Sequence, residues 1–328
     1  MSSFKRVPYL SQLVEPLRMI PTSGPLTKEN LPEARKFLGN LATLEGTLTD
    51  SAICHEERTI PGPGGNIALA ILRSKNSAGG LRSAIYYIHG GAMVFGTRFY
   101  EIGTTFEYIK QLDVVVVSVE YRLAPDHPDP APVEDCFVGL QWVSEHATEL
   151  GINSKKIVIS GLSAGGGLAA GTALMARDRG GPNLLGQCLI YPMLDDRMST
   201  VSSYQYMDEG IYDGNSNITA WDCLLPGRRG TEDVSIYAAP SRATDLSSLP
   251  PTWIDVGAAE VFRDENVAYA TKLWEFGIQT ELHVWPGAWH AFDIYAPDTE
   301  ISALCLATRM AWMKRTLVTV SKTEKDLL

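Results

Sequence analysis

Residues 156–180 read KIVISGLSAGGGLAAGTALMARDRG, and this stretch decides the fold. Its first part, Ile157 to Ser160, is an apolar run of the kind found in buried strands. Glycines then surround Ser163, and the residues beyond them follow a helical pattern. The stretch therefore predicts a strand that turns sharply into a helix, with Ser163 at the turn.

The flanking sequence predicts more strands of the same kind. They are NIALAILRS (66–74), SAIYYIHGG (83–91), DVVVVSVEY (113–121), QCLIYP (187–192), PTWIDVG (251–257) and TELHVW (280–285). Helical patterns lie between them, from about Pro132 to Leu150, from Leu168, and from Asp264 to Phe276. Such alternation is typical of an α/β protein with a mostly parallel central sheet and helices on both faces.

Two segments break the alternation. In residues 1–50 apolar residues recur at helical spacing, which we interpret as an N-terminal helical cap segment. Residues 194–249 are rich in Asp, Ser, Tyr, Gly and Pro, and we interpret them as a cap insertion that packs with the N-terminal helices. The α/β domain is then expected to comprise residues 51–193 and 250–328.

Composition and charge exclude several classes of protein. The chain has 328 residues, 45% of them hydrophobic, which is enough for a large core. Its formal charge is −10 and no dense basic cluster is present, which argues against nucleic acid as a partner. The N-terminal residues lack an apolar signal region and no segment is apolar enough to span a bilayer, so we expect a cytoplasmic protein without a membrane partner.

The five cysteines are scattered along the chain and form no CxxC pair. An odd number without such spacing argues against a zinc or redox site. Buried free thiols are the expected state.

The pentapeptide GLSAG, residues 161–165, matches the GxSxG nucleophile elbow. A side chain at Gly161 or Gly165 would collide with the neighbouring strand or helix, because the turn is tight. The pentapeptide alone also fits a serine that merely caps a helix. A dinucleotide-binding GxGxxA pattern starting at Gly165 fits less well, because Ser160, Gly161 and Ser163 end the strand too early.

A serine nucleophile needs a base, and His290 is the best candidate. It lies in WPGAWHAFD (285–293), after the last predicted strand, where a loop can return over the sheet's carboxyl edge. The other histidines in strands, helices or the N-terminal segment are expected to be structural; they are His55, His127, His146 and His283.

The acid that orients the base is less obvious. Glu260 follows the strand PTWIDVG, where a loop can bring its carboxylate to His290. Asp264 is the alternative acid, although it is better placed to cap the helix that begins there. The order serine, acid, histidine is the one expected of this sheet topology.

The strand that ends in HGG provides an oxyanion site. Side-chain-free residues let backbone N–H groups approach a developing negative charge, and we expect Gly90, Gly91 and Ala164 to donate. His89 is an alternative base, but its position beside the glycines suits a role in anchoring the loop.

Together these motifs resemble those of the hormone-sensitive lipase-like (bacterial family IV) esterases of the α/β-hydrolase fold. The resemblance rests on HGGAMVFG (89–96), EYRLAPDHPDPAPVED (120–135), GLSAGGG (161–167), YPMLDDR (191–197), VGAAEVFRDEN (256–266) and WPGAWHAF (285–292). It implies a serine carboxylesterase without a cofactor or metal, in which Ser163 is the nucleophile, Glu260 the acid and His290 the base. It also implies a cap and allows a homodimer, although no residue indicates one.

The sequence departs from the family pattern at two positions. Ala92 stands where the HGGG form has its last glycine, and Glu260 stands where aspartate is commoner. The first change can reshape the pocket, and the second is like that of a subgroup of the family.

The substrate is expected to be a small ester, and a lactone is one such candidate. Aromatic residues of the cap insertion can line the site or serve only in cap packing; they are Tyr204, Tyr206, Tyr212 and Trp221. Lactonase, amidase or acyltransferase activity with the same residues stays open. A non-catalytic ligand receptor on this scaffold, like the plant gibberellin receptors, is disfavoured because those receptors lack a working triad histidine, whereas His290 is present.

Overall fold

The computed structural model describes residues 4–21, 24–77 and 79–318. At its centre these residues form an eight-stranded sheet in the order β1-β2-β4-β3-β5-β6-β7-β8. Strands β1 and β2 are antiparallel to each other, β2 is antiparallel to β4, and all the other neighbours are parallel. The strands are β1 (Ile53–Gly62), β2 (Gly65–Ser74), β3 (Arg82–Ile88), β4 (Val115–Val119), β5 (Ile152–Leu162), β6 (Gly186–Ile190), β7 (Thr252–Gly257) and β8 (Thr280–Trp285).

Helices cover the sheet, which confirms the expected α/β-hydrolase architecture. Helices α5 and α6 pack together on the sheet, and α4 packs on α11. The helices are α1 (Ser11–Met19), α2 (Leu31–Leu41), α3 (Leu44–Thr47), α4 (Phe106–Leu112), α5 (Ala131–Glu145), α6 (Ala164–Asp178), α7 (Val201–Gln205), α8 (Gly214–Leu224), α9 (Arg263–Glu275), α10 (Phe292–Tyr295) and α11 (Glu300–Val318).

The parallel strands bring four loops to one edge of the sheet. These are the loops that follow β3, β5, β7 and β8, and they carry the HGG motif, Ser163, Glu260 and His290. Carboxyl ends of parallel strands meet at the same edge, which is where ligands bind in open α/β sheets. Residues that are far apart in the sequence therefore lie at the same edge of the sheet.

Strand β1 was not predicted from the sequence. It contains His55, Glu56, Glu57 and Arg58, and most of its residues are partly or fully exposed. As an edge strand paired only with β2, it needs neither the continuous apolar run nor the strict alternation used to recognise strands. Helix α6 also begins earlier than predicted, at Ala164 directly after the turn.

The N-terminal segment contacts several other parts of the protein, among them the 194–249 segment and the loop after β8. Its backbone meets the 194–249 segment where Leu26 N donates to Ser216 Oγ at 2.8 Å and Tyr206 Oη donates to Val7 O at 2.9 Å. Helix α1 instead packs on the loop after β8, where Trp289 Nε1 donates to Leu13 O at 3.1 Å. The first helix therefore supports the loop that carries His290.

A buried ion cluster joins α11 to the sheet and leads to a stability prediction. Arg309 is 2% exposed and lies 2.6 Å from Asp255 on β7 and 3.0 Å from Asp293 on α10. Replacing Arg309 by methionine would leave two buried carboxylates without their cation, which should destabilise the fold by about 3–5 kcal/mol. Urea unfolding should reveal this as a lower transition midpoint.

The control is the exposed pair of Arg179 and Glu134, whose side chains are 41% and 24% exposed. Arg179→Met should lower the free energy of unfolding by no more than about 1 kcal/mol, because water screens this pair. Equal losses in the two variants would contradict the role given to Arg309.

Candidate active site

Ser163 lies at the turn between β5 and α6, as the sequence predicted. Its backbone has φ 55° and ψ −123°, a strained conformation for a residue with a side chain. A Cβ built on Gly161 would lie 2.2 Å from Gly165 O, and one built on Gly165 would lie 2.1 Å from Ile88 O. Only glycine fits at either position, and the turn is therefore packed tightly enough to hold Ser163 in one orientation.

His290 reaches the serine from the loop after β8. The distance from His290 Nε2 to Ser163 Oγ is 3.0 Å, and both residues are more than nine-tenths buried. A supporting contact comes from the residue before α1, where Leu10 N donates to Gly287 O at 3.0 Å. A Cβ at Gly287 would lie 2.4 Å from Leu10 N, so the loop and the N-terminal segment fit closely.

Glu260 lies on the other side of the imidazole. Its Oε2 is 2.6 Å from His290 Nδ1, and its Oε1 accepts a hydrogen bond of 2.9 Å from Gly257 N. Both carboxylate oxygens are therefore engaged, which fixes the direction of the carboxyl group. This arrangement suits a neutral imidazole with its proton on Nδ1, which leaves the Nε2 lone pair facing the serine hydroxyl.

The structure does not bring Asp264, the alternative acid, to His290. Asp264 Oδ2 accepts a hydrogen bond of 2.7 Å from Ser202 N, and its Oδ1 lies 2.7 Å from Arg263 Nε. It belongs to the first turn of α9, but it binds the backbone of α7 rather than capping its own helix. The carboxylate therefore serves the packing of the 194–249 segment.

The three expected oxyanion donors surround the elbow. Ala164 is the first residue of α6, where helix N–H groups have no partner within the helix. A Cβ on Gly90 would lie 2.7 Å from Leu162 Cδ1, so this loop packs directly against the residue before Ser163. Gly91 has φ 107°, and a Cβ there would lie 2.1 Å from Phe95 O. Within the described residues, none of these three N–H groups donates to a backbone carbonyl.

His89 anchors this loop. Its Nδ1 lies 2.7 Å from Gly90 O, and its ring stacks on Tyr121 with centroids 4.2 Å apart. Burial lowers the pKa of His89 to about 4, so the imidazole is neutral near pH 7. Among the described residues it forms no hydrogen bond with Ser163 or His290, which leaves it the structural role favoured by the sequence.

Aromatic side chains enclose the imidazole of His290. Tyr191 and Phe262 approach it edge-on, with ring centroids 4.8 Å and 5.3 Å away. Tyr212, from the 194–249 segment, lies 5.6 Å away. Tyr191 and Phe262 could not be identified from the sequence, because neither stands out there from ordinary core residues.

The four aromatic residues of the insertion have different positions. Tyr212 is the one in ring contact with His290. Tyr206 and Trp221 are fully buried in the packing of the segment, and Tyr204 is 54% exposed. Tyr212 therefore lines the candidate site, whereas Tyr206 and Trp221 pack within the 194–249 segment.

No helix among the described residues has the length and apolar character needed to cross a membrane. In the same part of the chain, no cluster of three or more His, Cys, Asp or Glu side chains has a geometry that could hold a metal ion. The five cysteines are unpaired, and all but Cys54 are buried.

Comparison with known proteins gives consistent relatives. Residues 85–294 match a family described by its alpha/beta hydrolase fold. The chain is 32% identical to carboxylesterase NlhH of Mycobacterium tuberculosis over 309 residues, which cover 92% of this chain and 95% of that protein. It is 36% identical to esterase LipI of the same organism over 212 residues, which cover 65% of this chain and 66% of LipI.

Solved structures agree with the sequence relatives. A bacterial heroin esterase superimposes with a TM-score of 0.88 at 36% identity, covering 94% of this chain and 98% of that chain. An esterase of Pyrobaculum calidifontis superimposes with a TM-score of 0.81 at 32% identity, covering 95% and 100%. These similarities do not favour the receptor alternative. The chain belongs to the alpha/beta hydrolase fold family, as a hormone-sensitive lipase-like esterase, and is a carboxylic ester hydrolase.

Proposed function

We propose that this esterase works through a catalytic triad of Ser163, His290 and Glu260 and a covalent acyl-enzyme. One observation carries the proposal: Ser163 Oγ lies 3.0 Å from His290 Nε2, while His290 Nδ1 lies 2.6 Å from Glu260 Oε2. Serine is a weak nucleophile near neutral pH, and a base within hydrogen-bond reach can activate it. All three side chains are more than nine-tenths buried, so the surrounding fold holds the site in place.

In the first step, His290 Nε2 takes the hydroxyl proton while Ser163 Oγ attacks the ester carbonyl carbon. The carbonyl oxygen becomes negatively charged, and the N–H groups of Gly90, Gly91 and Ala164 donate hydrogen bonds to it. When this tetrahedral intermediate collapses, the bond to the alcohol oxygen breaks. The alcohol leaves with the proton from His290, and the acyl group stays on Ser163.

In the second step, water replaces the alcohol. His290 Nε2 takes a proton from the water, and the resulting hydroxide attacks the acyl carbon of the ester formed with Ser163. Collapse of the second tetrahedral intermediate releases the carboxylic acid, and His290 returns the proton to Ser163 Oγ. The reaction consumes one ester and one water and regenerates the enzyme.

Glu260 acts through the imidazole in this scheme. Its carboxylate accepts a hydrogen bond from the Nδ1–H of His290, which keeps the lone pair on Nε2 available to the serine. When His290 becomes an imidazolium, the adjacent negative charge stabilises it. The second hydrogen bond, from Gly257 N, keeps the carboxylate from turning away.

We propose that residues 1–50 and 194–249 form a cap and that the substrate is a small ester. The hydrogen bonds between Leu26 and Ser216 and between Tyr206 and Val7 support a cap built from both segments. The position of Tyr212 supports a small substrate. This residue of the 194–249 segment lies against the ring of His290 and limits the space beside the reacting atoms. Large acyl chains would meet it close to the reacting atoms.

The proposal can be tested with p-nitrophenyl esters of increasing acyl length and a fluorophosphonate probe. The enzyme should hydrolyse the acetate and butyrate esters faster than the long-chain esters. One equivalent of the probe should abolish turnover, and mass spectrometry should find it on the peptide that contains Ser163. Labelling of a different residue, or unchanged turnover after labelling, would contradict the proposed nucleophile.

Tyr212 gives a prediction about acyl-chain length. Tyr212→Ala should raise the ratio of kcat/KM for the octanoate ester to that for the acetate ester by about tenfold, because it removes a ring beside the reacting centre. Tyr204→Ala is the matched control, since Tyr204 belongs to the same segment but is 54% exposed. An equal change in both variants, or no change in either, would mean that Tyr212 does not limit the acyl pocket.

A further inference from the structure

Glu101 lies behind the loop that carries Gly90 and Gly91. It follows β3 by thirteen residues and has a left-handed backbone with φ 57°. A Cβ built on Gly90 would lie 3.1 Å from Glu101 Oε2. The carboxyl group therefore packs against the backbone of Gly90, on the loop that we propose as the oxyanion site.

This carboxyl group is without a cationic partner among the described residues. Although the residue is partly accessible, Glu101 Oε2 is buried and has no hydrogen-bond partner among the described residues. Within the same ranges no lysine, arginine or histidine forms an ion pair with it. Arg309, the nearby buried arginine, is bound to Asp255 and Asp293.

The titratable groups that interact electrostatically with Glu101 are tyrosines and one carboxylate. Asp293 of α10 is the charged group that acts on it, and Tyr100 is its neighbour in sequence. A negative charge on Glu101 would raise the pKa of four tyrosines, which belong to β3, the loops after β4 and β6, and α10. They are Tyr87, Tyr121, Tyr191 and Tyr295. None of these groups carries a positive charge that would stabilise an ionised carboxylate.

The surroundings therefore favour the neutral acid. Burial raises the pKa of Glu101 to about 8; the neighbouring Tyr100 side chain opposes this rise, and the charge of Asp293 adds to it. Because the pKa is raised, the group is uncharged at neutral pH and becomes an anion as the pH rises through this value.

We propose that Glu101 is a positioning residue of the oxyanion loop and that ester hydrolysis requires its carboxyl group in the uncharged form. The inference rests on the proposed role of Gly90 as an oxyanion donor. A neutral acid behind Gly90 supports the loop without adding charge. An anion at the same place repels the negative charge that develops on the ester oxygen, and burial makes this repulsion stronger than in water.

The effect should appear in kcat more than in KM. The ester carbonyl carries little charge in the ground state, whereas a negative charge develops on its oxygen in the transition state that leads to the tetrahedral intermediate. An ionised Glu101 thus opposes the transition state while leaving substrate binding nearly unchanged. A purely structural role would lower activity without a dependence on pH.

The test is a pH profile of ethyl butyrate hydrolysis, measured by pH-stat between pH 6 and 10 on three proteins. Wild-type kcat should fall above about pH 8, the region in which the carboxyl ionises. Glu101→Gln should match wild type within about threefold at pH 7 and exceed it about tenfold at pH 9.5, because an amide cannot ionise. Glu107→Gln, on the exposed face of nearby α4, should follow the wild-type profile.

Several results would overturn the inference. If wild-type kcat stays constant up to pH 9.5, the inference is wrong. It is also wrong if kcat of Glu101→Gln falls at alkaline pH as wild-type kcat does. A uniform loss in Glu101→Gln at every pH would leave only a structural role. If this variant does not fold, Glu101→Asp replaces it, and an unchanged alkaline midpoint in that variant overturns the inference.

The proposed triad is tested separately in the same samples. Fluorophosphonate labelling of Ser163 at pH 7 depends on the nucleophile and base, and it does not require Glu101 to ionise. If the probe does not label Ser163 in the wild-type protein, the proposed triad is contradicted. If Ser163 is labelled normally but kcat of Glu101→Gln falls at alkaline pH as in wild type, only the role of Glu101 is contradicted.

Discussion

Replacing Ser163 by alanine should lower kcat for p-nitrophenyl butyrate by about a millionfold, the largest effect expected of any single change in this protein. The substitution removes only the hydroxyl group, whose oxygen lies 3.0 Å from His290 Nε2, and the proposed acyl-enzyme cannot form without it. Steady-state rates at high enzyme concentration, with background hydrolysis subtracted, measure the residual activity. The variant should also fail to react with a fluorophosphonate.

Ser160→Ala is the matched control. Ser160 is buried in β5, three residues before the turn, and is 3% exposed. Its hydroxyl is not in contact with His290, so the variant should keep kcat within a few-fold of wild type. A Ser163→Ala protein that retains more than about one hundredth of wild-type turnover would overturn the nucleophile, because such activity exceeds what binding and oxyanion contacts alone supply.

Loss of the fold would not explain the expected result. The backbone strain at Ser163, with φ 55°, stays the same when alanine replaces serine. The Ser163 backbone keeps its hydrogen bonds, including the one from its N–H to Ile190 O at 2.8 Å. The thermal midpoint of the variant should therefore stay close to that of wild type, and a scanning fluorescence measurement checks this.

The central sheet could be predicted from sequence because its strands are buried on both faces. All five residues of β4 are buried valines or serine, and this continuous run is a strong signal. Strand β1 gives no such signal, since it lies at the edge and is rich in charged residues. Its position depends on ten paired residues with β2, which only the folded chain reveals.

Much of the candidate site also followed from chain order. Ser163, Glu260 and His290 come after parallel strands, whose carboxyl ends must lie at one edge of the sheet. The sequence favoured Glu260 but left Asp264 as an alternative, because both follow β7 within a few residues. The path of the loop decides their positions, and it is held by the bond from Gly257 N to Glu260 Oε1.

Contacts made by tertiary packing lay beyond sequence reasoning. Glu101 belongs to no motif, and its place behind Gly90 depends on how the segment after β3 folds back. The ring of Tyr212 reaches His290 from an insertion with weak periodicity. Helix α1 supports the histidine loop from the far end of the chain, through Trp289 and Leu13.

Replacing Glu260 by glutamine should lower kcat by about a thousandfold to ten-thousandfold. The amide has nearly the shape of the carboxylate and can keep the hydrogen bond from Gly257 N. Its NH₂ group, however, would face His290 Nδ1 and donate to it. The imidazole then carries its proton on Nε2, where it cannot accept the proton of Ser163, and the imidazolium loses its neighbouring negative charge.

Asp264→Asn provides the comparison that separates the two acids. In the wild-type protein the Asp264 side chain accepts a hydrogen bond from Ser202 N and pairs with Arg263. Asparagine can preserve the hydrogen bond from Ser202 N. Turnover of this variant should stay within about threefold of wild type, because the carboxylate does not touch His290. If Asp264→Asn lost more than a hundredfold and Glu260→Gln stayed within tenfold, the acid would have to be reassigned to Asp264. The opposite pattern is expected, because the 2.6 Å contact with His290 Nδ1 belongs to Glu260.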